Sequence, residues 1–385
     1  MYQLVSPNNG VIPGGLQPGN VRQQFGGLLA SALLFTAVCA SAQVAPPPAP
    51  TDLPPTIPTN VASIKALPAL PAGFDALTAS QEALRRHGLP PRPDQVAEEK
   101  GFKAWKAMVT NAKIHVEATL TQMPNIFHKP AQLTQPQGTI SQSPPAGKNQ
   151  TVTYSYNWSG PVIYDANKPF ATSYILGYWI VPRAQQTFRE ADSTWDYSSQ
   201  WVGIDGFGSS DVLQAGTEVD AFDNGAGGTA QFYSFWIEWY PFSETRVDST
   251  KFPVSAGDTV IVEVWNTSPT NGYAFLENLS TGKWLSFNLQ PPNGTSLQGT
   301  SAEWVVERPS VNGSLARLTN YVGDAFTYCY TGGYNYRVTY YPGDDFVPTG
   351  TVYLVDMLDN NNKVISYPVL NGLFGIWFFD TGSVY

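Results

Sequence analysis

The chain has 385 residues and a formal net charge of −9, with 42% hydrophobic and 13% aromatic residues, enough apolar material for a sizeable core. The charge is uneven: Lys and Arg outnumber Asp and Glu by eleven to seven in residues 1–150, and fall short by ten to twenty-three in residues 151–385. An acidic C-terminal part argues against nucleic acid and anionic membrane as partners, and a basic segment ahead of it can dock on it.

In chain order, Phe25 to Val38 form an apolar run preceded by Arg22 and followed by Ala40-Ser41-Ala42, a small-residue cleavage pattern. The run is short for a membrane span and suits a signal-peptide core, so residues 1–42 read as an export leader and the protein as secreted, without a membrane anchor. Residues 43–72 are proline-rich and read as an extended linker. Residues 79–89 and 95–108 have helical texture, the first ended by Gly88 and the second capped by Asp94. Residues 130–148 return to Pro, Gln, Ser and Gly.

From Thr151 onward, runs of alternating Val, Ile, Tyr, Phe and Trp are broken by Gly, Asn, Asp and Pro every 8–12 residues. That is the pattern of an all-β sandwich or barrel of antiparallel strands, and one domain can hold residues 151–385. Only Cys329 would remain after leader cleavage, so no internal disulfide is expected, and this cysteine reads as a small core residue.

Strand alternation assigns sides. Trp201, Gly203 and Asp205 share one; so do Gln214, Gly216 and Glu218; Trp236 and Glu238; Glu303, Val305 and Glu307. Each strand thus has one mainly apolar side and one mixing acids, an amide and tryptophans, without a lysine in any of the four. An aromatic-lined acidic groove explains this; ordinary exposed acids on an acidic protein are the alternative. The three histidines, His87, His115 and His128, all precede residue 130, so chemistry carried by residues 150–385 alone must use acids, amides and hydroxyls.

WVGIDG…LQAGTE, FWIEWYP and SAEWVVERP, with YNWSGPVI at Tyr156 to Ile163, resemble the motif set of the eqolisin-type glutamic endopeptidases. The resemblance covers about residues 155–375. It implies a sandwich of two antiparallel sheets with a concave substrate groove, peptide substrates and an acid-active Gln/Glu pair. It gives Gln214 and Glu303 as the catalytic residues, and Trp201, Asp205, Trp236 and Glu238 as supporting groove positions. Glu218 stands where many relatives have Asp. Residues 43–150 would then be a propeptide that binds the catalytic part and is removed by self-cleavage upstream of about Tyr156. A monomer is expected, with no cofactor and no metal, since the acids have no calcium-loop spacing.

Three other readings stay open. Asp380-Thr381-Gly382-Ser383 spells an aspartic-peptidase motif, though it has no second copy. Glu238 and Glu303 would be the carboxylate pair of a glycoside hydrolase. Trp201, Trp236 and Trp239 would be the stacking platforms of a carbohydrate-binding domain. Six N-x-S/T sequons, at Asn149, Asn157, Asn266, Asn278, Asn293 and Asn312, matter only in a glycosylating host.

Overall fold

The computed structural model describes residues 53–135, 150–186, 193–226, 228–333, 339–343, 350–371 and 375–381. The leader, the sequon at Asn149, most of residues 130–148 and the Gly382-Ser383 half of the aspartic motif lie outside the described residues.

The N-terminal part supplies helices α1 (Gln81–Arg86) and α2 (Glu99–Asn111) and strands β1 (Ile64–Ala66) and β2 (Leu120–Gln122). The rest is β-structure: β3 (Gln150–Ser155), β4 (Trp158–Tyr164), β5 (Tyr174–Ile180), β6 (Ser199–Ile204), β7 (Val212–Asp223), β8 (Thr229–Tyr240) and β9 (Thr245–Val247). It continues with β10 (Thr259–Ser268), β11 (Asn271–Asn278), β12 (Lys283–Leu289) and β13 (Ser301–Glu307). β14 (Gly323–Gly332), β15 (Thr351–Leu358), β16 (Val364–Asn371) and β17 (Gly375–Asp380) complete it.

Two layers result, as the alternating pattern predicts. The front sheet runs β9-β8-β7-β6-β13-β4-β15 through antiparallel pairs, and β3 joins β15 in parallel. The back sheet runs β17-β14-β5-β10-β11-β12, all antiparallel. Between them lie Val202, Ile204, Leu213, Ala215, Phe235, Ile237, Trp239 and Trp304 from the front, and Ile175, Trp179, Val260, Val262 and Val264 from the back, all buried. The layers are tied by polar links as well: the Trp304 indole donates to the Leu176 carbonyl at 2.8 Å, and the Trp179 indole to the Thr217 hydroxyl at 3.0 Å. Gly177 sits where a Cβ would come within 2.9 Å of Val202, so a side chain there would wedge the layers apart.

The N-terminal part behaves differently from a linker. β1 pairs with β12, the outer strand of the back sheet, and β2 pairs with β9, the outer strand of the front sheet. Proline content does not prevent this, because strand pairing at an edge needs donors on one side only. Ile64 and Leu67 are buried in the shared core. α1 starts at Ser80, whose hydroxyl accepts from the Ala83 amide at 3.1 Å. α2 starts later than the sequence suggests: the Asp94 carboxylate binds the amides of Val96 and Ala97 at 2.8 Å, closing a turn, and the helix begins only at Glu99. α2 lies on the outer face of the back sheet, where Ala104, Trp105 and Met108 are buried and the Ala104 carbonyl accepts from the Tyr178 hydroxyl at 2.6 Å.

This cover traps two carboxyls. Glu263 and Glu277, on β10 and β11, are buried, and neither oxygen of Glu277 has a hydrogen-bond partner. Burial pushes Glu277 up to about 9 and Glu263 well above the carboxylate range. Cys329 is a buried free thiol in β14, raised by burial and by Asp324. Among the described residues no helix is long and apolar enough to cross a membrane. Of the sequons, Asn157, Asn266 and Asn278 are buried, whereas Asn293 and Asn312 are exposed.

Candidate functional site

The outer face of the front sheet carries the mixed polar and aromatic side of β6, β7, β8 and β13. Strand register aligns it in rows. One row reads Glu238, Gln214, Gly203, Glu303 across β8, β7, β6 and β13. The next reads Trp236, Gly216, Trp201, Val305, and the one beyond it Ser234, Glu218, Ser199, Glu307. Every member is buried rather than solvated, so the exposed-acid alternative does not describe this face.

Gln214 and Glu303 flank Gly203, one strand to either side. Strands lie about 4.8 Å apart, so their Cα atoms start roughly 10 Å apart, over a position with no side chain between them. A Cβ on Gly203 would meet the Trp201 ring at 2.8 Å and Gln214 Cβ at 3.3 Å. Neither oxygen of Glu303 accepts a hydrogen bond. Burial pushes its carboxyl well above the ordinary range. The Ser301 hydroxyl, close by but outside hydrogen-bond geometry, works against this shift, and the nearby Asp205 charge adds to it.

Asp205 stands behind this row. It has φ +70°, a left-handed conformation that Asp tolerates better than most residues. Its carboxylate accepts from the amides of Gln298, Gly299 and Thr300 at 2.6, 2.9 and 2.9 Å, and from the Thr300 hydroxyl at 3.2 Å. Asp205 thereby fixes the segment that enters β13 two residues before Glu303. Burial raises its carboxyl even against these donors.

The groove is occupied by the chain's own residues 125–132. The Ile126 carbonyl accepts from the Glu244 amide at 3.0 Å, and the Ala131 amide donates to the Gly206 carbonyl at 3.0 Å. The Asn157 amide group donates to the carbonyls of Lys129 and Pro130 at 3.0 and 3.3 Å, and its oxygen accepts from the Gln132 amide at 2.7 Å. At the centre, Gln214 Nε2 donates to the His128 carbonyl at 2.6 Å and to Glu238 Oε1 at 3.3 Å. The His128 amide donates to the Glu238 carboxylate at 3.2 Å.

The His128 imidazole fills the adjoining rows. It stacks on Trp236, centroids 3.8 Å apart and planes 10° from parallel. Nδ1 lies 3.1 Å from Glu307 Oε2, and Nε2 lies 3.5 Å from Glu244 Oε2 and 3.9 Å from Glu218 Oε2. Glu307 is in turn held by the Trp201 indole at 2.9 Å and Asn157 at 3.2 Å. Arg246 pairs with Glu244 through Nε and reaches Glu218 at 3.6 Å and Asp220 at 3.4 Å.

Opposing effects set the charges. Burial works against a charged His128, but Glu244, Glu307 and Glu218 outweigh it and raise the imidazole well above its usual value. Burial, with Glu244 beside it, lifts Glu218 to about 7. Burial also lifts Glu238 well above the carboxylate range, and Glu307 above its usual value. Glu244 is the exception: burial pushes it up, yet Arg246 and His128 bring it below its ordinary value.

His128 Nε2 and oxygens of Glu218 and Glu244 lie within 4.8 Å of one another, a grouping of metal-ligand type. No residue spacing points to it, because one ligand comes from the N-terminal part. Arg246 and a protonated His128 bring positive charge beside these acids.

The structure brings Gln214, Glu303, Trp201, Trp236, Glu218 and Glu238 onto one face, with Asp205 buttressing it. It separates others. Trp239 points into the core, where its indole meets Asp211 at 3.5 Å, so it is no stacking platform. Glu238 and Glu303 lie three strands apart with Gln214 between them, roughly 14 Å at Cα, too far for a retaining carboxylate pair. Sequence reasoning missed His128, Glu244, Arg246 and Asn157 because their relevance depends on which strands become neighbours. The expectation of a site without imidazole holds for residues 150–385 but not for the groove as folded, where His128 sits at the centre.

Residues 156–366 match the profile of the Peptidase A4 family, more than half of the chain. Scytalidopepsin B of Scytalidium lignicola is 39% identical over 107 residues, 28% of this chain and 38% of that protein. Aspergillopepsin-2 of Aspergillus niger is 28% identical over 193 residues, 45% of this chain and 63% of that protein. The chain therefore spans less than two thirds of the length of either relative. Among solved structures, scytalido-glutamic peptidase with a transition state analog inhibitor has a TM-score of 0.47 at 23% identity, over 59% of this chain and 98% of that one. With the profile covering all the groove strands, the chain belongs to the Peptidase A4 family.

Proposed function

We propose that the protein is a secreted acid endopeptidase made as a zymogen, with Glu303 as general base and acid and Gln214 as the group that holds water and the oxyanion. The observation that carries this reading is the row Gln214–Gly203–Glu303. A peptide carbonyl, that of His128, already lies on the Gln214 amide, and a buried carboxyl without a hydrogen bond stands across the gap. A carbonyl held by an amide donor is the ground-state counterpart of an oxyanion held by the same donor.

The steps follow from the residues. Glu303 as carboxylate takes a proton from water, which attacks the carbonyl carbon; the protonated acid then gives that proton to the leaving amine. Asp205 keeps β13 in register through its three amide contacts. As folded, burial favours the protonated form of Glu303, in which it is no base. Access of water to the site would relieve that burial and lower the carboxyl's proton affinity.

Release has a definite sign. His128, raised, favours the closed form below its usual value of about 6.5, and this contribution is lost only as pH climbs through its folded value. Glu244, lowered, favours the closed form above about 4.3, and its contribution is lost as pH falls through its folded value. Glu218, Glu238 and Glu307, all raised, favour the closed form increasingly as pH falls toward about 4.3. Mild acid therefore does not open the groove, and opening needs protonation of Glu244.

The test is hydrolysis of a denatured protein against pH by the acid-treated chain, its Gln214→Ala variant and its Glu303→Gln variant. Losses of about 10²–10³ are expected for Gln214→Ala, and near-complete loss for Glu303→Gln. Full activity of Glu303→Gln in acid removes the mechanism, and a β-glucan cleaved in place of protein removes the reaction class.

A further inference from the structure

The outer face of the back sheet, remote from the groove, carries acids where a helix-covered surface is ordinarily apolar. Register sets one row as Tyr178, Ile261, Glu277, Trp284 and the next as Leu176, Glu263, Phe275, Ser286, across β5, β10, β11 and β12. Glu263 and Glu277 are therefore diagonal neighbours on one face. Their cover is α2 and the residues that follow it. The Ala104 carbonyl of α2 accepts from the Tyr178 hydroxyl at 2.6 Å, and the amides of Ile114 and Val116 donate to the Gly282 and Trp284 carbonyls at 2.9 and 3.0 Å. His115 meets the Trp284 ring edge-on, centroids 4.7 Å apart. Under this cover neither oxygen of Glu277 has a hydrogen-bond partner, nor does Oε2 of Glu263 or the Ser286 hydroxyl. The cavity beside Glu263, lined by Gly101, Ala104 and Trp105 of α2, has a volume of about 10 Å³, the space of one water at most.

No cation answers the pair. Glu99, Lys100, Lys103 and Lys106 on α2 are exposed. Arg92 is engaged by the Ala76 and Leu77 carbonyls and lies over the Trp105 ring. From β5 and β14, Tyr174 and Tyr330 line the cavity with Glu263, and Tyr328 packs on Tyr178 at 5.0 Å, so these strands bring hydroxyls and no charge. From the segment after α2, His115 is turned to the Leu67 carbonyl at 3.2 Å.

We propose that α2, with residues 113–116, is a pH-sensitive cover on the back sheet: Glu263 and Glu277 admit it only while they carry their protons, so it is held in acid and loosened as pH rises. Its behaviour does not depend on the reaction assigned to the opposite face.

The sign follows from the burial. A carboxyl here can be neutral under the cover or charged in water, but charged under the cover it would have neither donor nor counter-ion. Burial lifts Glu277 to about 9 and Glu263 well above the carboxylate range. Raised groups favour the covered form fully below about 4.3, and this contribution is lost as pH climbs through their folded values. In that window opening releases a proton from each acid, so the opening constant rises about tenfold per pH unit for each. His115 acts with the opposite sign: burial lowers it, so its contribution grows with pH only up to about 6.5 and is constant above. At the groove, protonation of Glu244 loosens residues 125–132. On the zymogen reading, the front attachment of the N-terminal part thus lets go in acid while the back attachment holds.

The test is hydrogen exchange of the full-length chain between about pH 7 and 8.5, read by mass spectrometry as protection factors, which remove the intrinsic pH dependence of exchange. Protection of the α2 amides is expected to fall by about tenfold or more per pH unit, while β6 and β13 keep theirs. In the Glu263→Gln/Glu277→Gln double variant, which keeps the side-chain shapes and removes both ionisations, α2 protection no longer changes with pH. Level protection of α2 in the wild type, or an equal fall in the double variant, overturns the proposal. A parallel loss in α2, β6 and β13 overturns it too, because the acids then weaken the whole fold and not the cover. The wild-type series decides even if the double variant does not fold.

Discussion

Replacing His128 by alanine in the full-length chain removes the centre of the plug while leaving its backbone contacts in place. The lost contributions are the stack on Trp236, about 1 kcal/mol, and charge-assisted contacts to Glu307 and Glu244, about 2 kcal/mol together after the acids left behind take up protons. Glu218, already raised to about 7, takes one up at little cost. A loss of about 3 kcal/mol corresponds to roughly a 150-fold rise in the open fraction at neutral pH. The assay is turnover of a quenched reporter peptide by the unprocessed protein, followed beside gel analysis of processing as pH is lowered. The variant is expected to turn over the reporter before any processing and to process at higher pH than the wild type, with a thermal melt confirming that the fold is retained. If reporter turnover and the pH profile of processing stay the same, the imidazole does not hold the segment in place, and the release argument built on Glu244 fails.

Three further outcomes are expected. Gly203→Ala puts a Cβ within 2.8 Å of Trp201 and 3.2 Å of Val212; hydrolysis should fall by at least about tenfold, for an overpacking cost of about 1–3 kcal/mol in a chemical melt. Asp205→Asn suits the left-handed backbone but removes the charge that gathers the Gln298, Gly299 and Thr300 amides, so stability should drop by about 1–3 kcal/mol and kcat more than KM should suffer. Glu277, lifted to about 9 by burial, binds a proton when folded that it loses when unfolded, so its contribution is fully present below about 4.3 and fades as pH rises toward its folded value. Glu277→Gln in the full-length chain should therefore raise the melting temperature at neutral pH and change it little in acid, which a melting series across pH will check.

The strand pattern was legible because period-two alternation and turn residues mark strands directly, and sides follow from the same parity. Gln214 and Glu303 could thus be placed on the polar sides of their strands before their distance was known. What brought them together was register, with both opposite Gly203, and register is set by pairings between strands that are far apart in sequence. The N-terminal part was least legible. Its proline content suggests an unpaired linker, yet β1 and β2 each find a partner because an exposed sheet edge offers one. His128 carried no local signal at all: a single histidine after NIF becomes meaningful only when Trp236, Glu218, Glu244 and Glu307 surround it. Trp239 shows the reverse error: strand parity already puts it on the side opposite Trp236, so grouping it with Trp201 and Trp236 as a stacking platform conflicts with the alternation itself.

The attachment of β1 to β12 and of β2 to β9 has a cost that falls due later. If the N-terminal part is cut away, as the zymogen reading has it, the backbone N–H and C=O groups it engages on both rims would face solvent, and α2 would no longer shelter Glu263 and Glu277. On the zymogen reading, the processed molecule would have two unguarded flanks able to recruit a foreign extended segment. In acid, its surface carboxyls lose the charge that would keep copies apart.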